Sequence, residues 1–170
     1  MTEYIVDTNV PLVASEEASQ MSPDCVITCV NFLEKLMNGE YQLVIDSSFL
    51  IIGEYANKMQ NLPTYTFGGK FYKWILAYRD NPIKVKQVDI QQLDEYNFSE
   101  VPQSLIDINF DNSDRKFVAV SIANKNQAPI VQAADSKWIG WEEAINKEGI
   151  SVCFLCKEEL KTIYQTKRKK

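Results

Sequence analysis

Histidine is absent from all 170 residues. That absence removes Ser–His and Cys–His nucleophile pairs, histidine general bases and imidazole metal ligands. Any catalysis must rest on carboxylates, lysine, tyrosine, cysteine or a bound metal ion. No run of about 18 apolar residues occurs, so no membrane-spanning helix is expected. Met1 to Asp7 carries neither a basic region nor a long apolar stretch and does not read as a secretory signal. A cytoplasmic location is expected by default. Positive charge is scarce in the first third of the chain: residues 1–54 hold nine acids against Lys35 alone, a net of −8.

What is present suits one folded domain. The apolar fraction is 45%, enough for an ordinary core. The expected organisation is a single domain over residues 1–165 and a basic tail at 166–170, with residues 61–108 as an insertion or variable substrate-binding region. The overall charge of −5 hides a segregation. Residues 55–88 carry Lys58, Lys70, Lys73, Arg79, Lys84 and Lys86 against Asp80, and the chain ends Lys167-Arg168-Lys169-Lys170. An acidic half suits a metal site, whereas basic stretches suit a phosphate backbone. Chance segregation on solvated faces is the plainer explanation.

Cys25 and Cys29 fall on one face of an expected helix, and Cys153 and Cys156 lie in an apolar strand and its exit. A four-thiolate zinc site is weighed and set aside. C-x-x-x-C inside a helix is not knuckle geometry, and neither pair sits in a Gly-rich turn. All four are expected as buried thiols acting as small hydrophobes.

Short apolar segments alternate with helical ones. Glu3–Val6 reads as a strand ending in Asp7, and Val10–Ser19 as a short helix or loop. Ser22-Pro23-Asp24 opens a helix with an N-cap, a first-turn proline and an acid near the positive dipole end, and Asn38-Gly39 closes it. Gln42–Ile45 is a strand, Asp46-Ser47-Ser48 caps a helix reaching Met59, and 61–69 reads as a loop. Phe71–Arg79 is a helix, and Ile83–Ile108 holds an extended piece and a short helix or two. A helix from Asp111–Asp114 to about Asn124 precedes the strand Pro129–Val131. Trp138–Lys147 is a helix closed by Gly149. A strand over Ile150–Leu155 and a helix over Lys157–Thr166 end the chain. The pattern predicts an α/β fold: three layers, α/β/α, around a mainly parallel sheet. Functional groups then collect at the carboxyl ends of strands.

Four acids stand out. Asp7 and Asp135 each follow an apolar strand, Glu54 interrupts the apolar helix segment Phe49–Tyr55, and Asp114 precedes the buried run Phe117-Val118-Ala119-Val120. Each has a plain alternative: a cap for Asp7, Asp114 and Asp135, an exposed helix face for Glu54. Together, four carboxylates from four elements would repel one another unless divalent cations neutralised them. All-oxygen ligands suit Mg²⁺ or Mn²⁺.

Tyr4-Ile5-Val6-Asp7-Thr8-Asn9, Glu54, Asp114-Arg115-Lys116-Phe117-Val118-Ala119-Val120-Ser121-Ile122-Ala123 and Pro129-Ile130-Val131 to Asp135 occur in an order that resembles the PIN-domain metal-dependent ribonucleases, over about residues 4–155. The sequence departs from that family at Ala133, where Thr or Ser is usual. The resemblance implies an endoribonuclease in which Asp7, Asp114, Asp135 and Glu54 hold Mg²⁺ or Mn²⁺ and do the catalysis, with Thr8 and Asp111 as outer support. It implies Lys70, Lys73, Arg79 and Asn9 on the substrate side, with RNA, single-stranded in the first place, as partner. Tyr72, Trp74 and Tyr78 are candidates for stacking on bases; at helical spacing Trp74 and Tyr78 read more readily as core. Small members of the family act as toxins held by a protein inhibitor, so an antitoxin and a second copy of the chain are further implied partners. Two alternatives stand beside this. A haloacid-dehalogenase-like phosphatase would need a second aspartate where Asn9 stands. A PIN-like fold that no longer cleaves would serve as a nucleic-acid- or protein-binding module.

Overall fold

The computed structural model describes residues 1–18 and 20–170. Ser19, the end of the stretch expected as a short helix or loop, lies outside the described residues. Five strands form one parallel sheet: β1 (Thr2–Val6), β2 (Tyr41–Asp46), β3 (Val85–Val88), β4 (Ile130–Gln132) and β5 (Val152–Phe154), in the order β3-β2-β1-β4-β5. The expected α/β/α architecture is therefore found. The strand centres read Ile5-Val6, Leu43-Val44-Ile45 and Ile130-Val131, all fully buried. Such runs without alternation belong to a parallel sheet covered on both faces.

The chain moves outward from β1 through β2 to β3, then returns to pair β4 with the other side of β1. That reversal opens a crevice beyond the carboxyl ends of β1 and β4, the usual ligand position in open α/β sheets.

Eight helices surround the sheet among the described residues: α1 (Asn9–Ala14), α2 (Pro23–Met37), α3 (Leu50–Met59), α4 (Phe67–Tyr78), α5 (Gln103–Asp107), α6 (Arg115–Ala123), α7 (Lys137–Lys147) and α8 (Lys157–Arg168). No helix among the described residues is long and apolar enough to cross a membrane. Local chemistry sets several ends. Ser22 Oγ accepts from Cys25 N at 3.2 Å, the expected N-cap of α2. Asp46 accepts from Leu50 N and Ile51 N at 2.8 and 2.9 Å, fixing the start of α3. Gly39 and Gly149, with φ of +86° and +77°, follow α2 and α7 at the left-handed positions that terminate helices.

Three boundaries differ from the sequence reading. The segment 61–108 contributes α4 and the edge strand β3, so most of it belongs to the three-layer body; its irregular part lies between β3 and α5. Residues 166–168 continue α8 rather than forming a tail. Helix α4 begins at Phe67, inside the expected loop, with Thr66 Oγ1 accepting from Gly69 N at 3.1 Å. Its two glycines answer to crowding from outside the helix. A Cβ at Gly68 would lie 2.6 Å from Ser15 Oγ, and one at Gly69 only 2.2 Å from the Pro63 carbonyl oxygen. Because the obstacle at Gly69 is backbone, Gly69→Ala is expected to cost about 1–3 kcal/mol, as overpacking does. Thermal unfolding followed by circular dichroism should show a midpoint lower by roughly 3–10 °C; an unchanged midpoint would mean the Pro63 turn yields freely.

Candidate functional site

Asp7 leaves β1 directly into the crevice. Its backbone N–H donates to Val131 O at 3.1 Å, continuing the pairing with β4, and its side chain is buried. Asp7 Oδ1 accepts from the backbone N of Asn9 at 2.9 Å and from Asn9 Nδ2 at 2.7 Å, and Oδ2 accepts from Gln132 Nε2 at 2.9 Å. The Asn9 amide then closes the crevice wall. It donates to Gln132 Oε1 at 2.6 Å and accepts from the backbone N–H groups of Ala133 and Ala134 at 2.8 and 3.2 Å. Asn9, expected on the substrate side, thus has its whole amide spent inside the protein, holding Asp7 and the exit of β4.

Asp114 ends a 3₁₀ turn, Asn112–Asp114, and precedes α6; its carboxylate caps no helix amide. Asp135 lies beyond β4, where its Oδ1 accepts from Lys137 N at 3.1 Å. Asp111, Asp114 and Asp135 each present an oxygen within 4.8 Å of the others. Asp111, read from sequence as outer support, therefore belongs to the same cluster as Asp114 and Asp135, and it also accepts from Lys137 Nζ at 2.6 Å. Glu54, on α3, accepts from Thr8 Oγ1 at 2.6 Å through Oε1, while Oε2 is buried against Lys116 Nζ.

The electrostatics tie these carboxylates together. Burial pushes the Asp114 carboxyl up to about 8, and the charges of Asp7, Asp135, Glu54 and Asp111 add to that rise. Asp7 is pushed up to about 7, by burial first and then by Glu54 and Asp135, against the lowering effect of its hydrogen bonds from Asn9 and Gln132. The Tyr55 hydroxyl, which donates to Val6 O at 2.6 Å, is raised by burial and by Asp7, Glu54 and Asp46. Four acids from β1, α3, the start of α6 and the exit of β4 therefore share one electrostatic site. Like charges that act on one another are tolerated when neutralised, and oxygen-only ligands suit a hard divalent cation.

Sequence reasoning gave Gln132 and Lys116 no role. Gln132 is completely buried and clamps Asp7; a polar residue ending an otherwise apolar strand is the signal that marks it. Lys116 ion-pairs with Glu54 and also donates to Ser113 O, two residues after Asp114 in the segment that carries the resemblance. Lys137 and Lys167 complete the cationic rim, the latter donating to Ser136 Oγ at 3.3 Å beside Asp135. A groove of about 620 Å³ runs from Glu54 and Lys116 between α3 and the chain following β3, with Phe49, Lys58 and Tyr96 on its walls.

The basic helix α4 is placed differently from the acids. Lys70 and Lys73 are exposed, and Lys70 lies over the Phe67 ring. Arg79 stacks on Phe49, at 4.9 Å from its ring centre, which brings it to the groove wall. Trp74 is buried and packs between Phe71 and Tyr78, so its indole is core.

The cysteines require a correction. Cys25 and Cys156 form a disulfide, leaving Cys29 and Cys153 as free thiols. The cause is tertiary: Glu159, in the first turn of α8, accepts from Ser22 N and Ser22 Oγ at 2.6 and 2.7 Å and seats the start of α8 on the start of α2. No family model, curated protein or solved structure matches this chain.

Proposed function

We propose that this protein is a Mg²⁺- or Mn²⁺-dependent nuclease that hydrolyses RNA phosphodiesters in the crevice beyond β1 and β4. The observation that carries the reading is the convergence of Asp7, Asp114, Asp135 and Glu54, with the Asp7 and Asp114 carboxyls pushed up to about 7 and about 8. Asp7, Asp114 and Asp135 would hold the cation, with Glu54 and Asp111 beside them. When bound, such an ion lowers the pKa of water and stabilises the leaving oxygen of an in-line displacement. The chain's own groups do the rest. Asn9 and Gln132 fix Asp7 in one orientation, and Thr8 does the same for Glu54. Lys137 and Lys167 offer positive charge to phosphates at the rim, and the groove past Phe49 and Tyr96 gives an unpaired strand room to leave the site. The expected products carry 5′-phosphate and 3′-hydroxyl ends.

A second reading has its own support. Lys116 already neutralises Glu54, so the site has a built-in cation, and a binding module that no longer cleaves is consistent with that ion pair. Labelled single-stranded RNA, with DNA beside it, decides between them when incubated with Mg²⁺, Mn²⁺ or EDTA and with Asp7→Asn. Cleavage that needs metal and Asp7 supports the nuclease. RNA binding without cleavage under every metal condition supports the module. Cleavage that persists in EDTA or in Asp7→Asn overturns the site assignment.

A further inference from the structure

At the amino end of α2, three sulfurs meet that are no part of the acidic cluster. Cys25, in the first turn of α2, and Cys156, which leads into α8, are joined, and Cys29 stands one helical turn beyond Cys25. All three Sγ atoms lie within 4.8 Å of one another. Cys29 is fully buried and Cys25 nearly so. Among the described residues this is the one sulfur cluster of metal-ligand size.

We propose that Cys25, Cys29 and Cys156 form, when reduced, a three-thiolate site for a soft d¹⁰ cation, Zn²⁺ or Cu⁺, that ties α2 to α8. The reaction balances as follows. A dithiol reductant transfers two electrons to the Cys25–Cys156 bond, giving two thiols and its own cyclic disulfide. The cation then displaces three protons and forms three metal–sulfur bonds. Thiolates around a tetrahedral ion at about 2.3 Å sit roughly 3.8 Å apart, a spacing inside the 4.8 Å within which the three Sγ atoms already lie.

Two features favour a cation over simple packing. Cys25 and Cys156 both lie at helix amino ends, where the positive dipole stabilises thiolates. The α2–α8 contact is held independently by Glu159 on Ser22, so the sulfurs stay together after reduction. A coordinating cation replaces the thiol protons outright. Either the disulfide or the cation would then hold α8 in place, in oxidising and reducing surroundings respectively.

The test uses the full chain carrying Asp114→Asn, which weakens the oxygen site, reduced with a dithiol that is then removed without oxygen. Co²⁺ is the spectroscopic probe and Zn²⁺ the competitor. The expected result is a thiolate-to-cobalt charge-transfer absorption of one equivalent, abolished by Zn²⁺, absent from the oxidised protein and unaffected by Cys153→Ser. Cys29→Ser should weaken Zn²⁺ binding by at least about tenfold. No thiolate absorption in the reduced protein, or full Zn²⁺ affinity in Cys29→Ser, overturns the proposal. Equal loss in Cys153→Ser does so too. None of these outcomes depends on RNA cleavage.

Discussion

Asp114→Asn is expected to lower metal-dependent RNA cleavage by at least about 100-fold, the scale of losing one preorganised electrostatic group, while making the metal-free fold more stable. The two effects share one cause. Asp114 is buried, raised to about 8, and repelled by Asp7, Asp135, Glu54 and Asp111. In the unfolded chain its carboxyl titrates near its ordinary value of 3.8. Between that value and about 8 the folded state holds a proton that the unfolded state has released. Stability of the metal-free protein therefore falls as pH rises through this window, and the Asp7 carboxyl, raised to about 7, adds to the fall. A neutral amide of the same shape removes the largest of these penalties. In EDTA at pH 8 the variant should melt a few degrees above the parent, since about 1 kcal/mol moves the midpoint by roughly 2–4 °C in a chain of this size. Below about pH 4, under the ordinary carboxyl value, the two should coincide. Mg²⁺ or Mn²⁺ should reverse the order at pH 8, because a ligand at about 100 times its Kd adds roughly 2.7 kcal/mol to the parent. A variant less stable than the parent in EDTA at pH 8 would show that Asp114 gains more from its surroundings than it loses to its neighbours.

The sequence carried those features that a few adjacent residues decide. Ser22-Pro23-Asp24 opens α2 and Asp46 caps α3 because each uses amides within five residues. The alternation of apolar strands and helices is likewise local and was enough for a three-layer α/β/α fold. Asp7, Glu54, Asp114 and Asp135 were legible as a set because a carboxylate next to a buried run is costly wherever it occurs. Features decided across the fold were not legible. Gly68 and Gly69 look like loop residues until Ser15 and Pro63 press against them. Cys25 and Cys156 are 131 residues apart, and the pairing depends on how α8 seats on α2. Lys116 was visible beside Asp114, but nothing local says that it reaches Glu54 on another helix. Asn9 was placed on the substrate side by the resemblance alone; its partners Gln132 and the amides of Ala133 and Ala134 lie more than a hundred residues on.

That last arrangement yields the largest expected change in stability. Asn9→Ala removes four side-chain hydrogen bonds at once: two donated, to Asp7 and Gln132, and two accepted, from Ala133 N and Ala134 N. The two backbone N–H groups would be left on buried residues with no carbonyl in the sheet to take them, at about 1–3 kcal/mol each where water cannot reach. Asn9 itself is only half-buried, so water entering the gap would recover part of that. A net loss of about 2–4 kcal/mol follows, with a midpoint lower by roughly 5–15 °C. The exit of β4 would loosen in the same step, and with it the position of Asp135. Asn9→Asp separates the two effects. Its carboxylate can still accept from Ala133 N and Ala134 N, but it offers nothing to Asp7 or Gln132 and adds a charge to the cluster. It should keep more stability than Asn9→Ala at pH 5 and lose that advantage at pH 8. Hydrogen exchange at the Ala133 and Ala134 amides gives the direct measure: both should be slow in the parent and fast in Asn9→Ala. Slow exchange in that variant would mean that β4 holds its exit without Asn9.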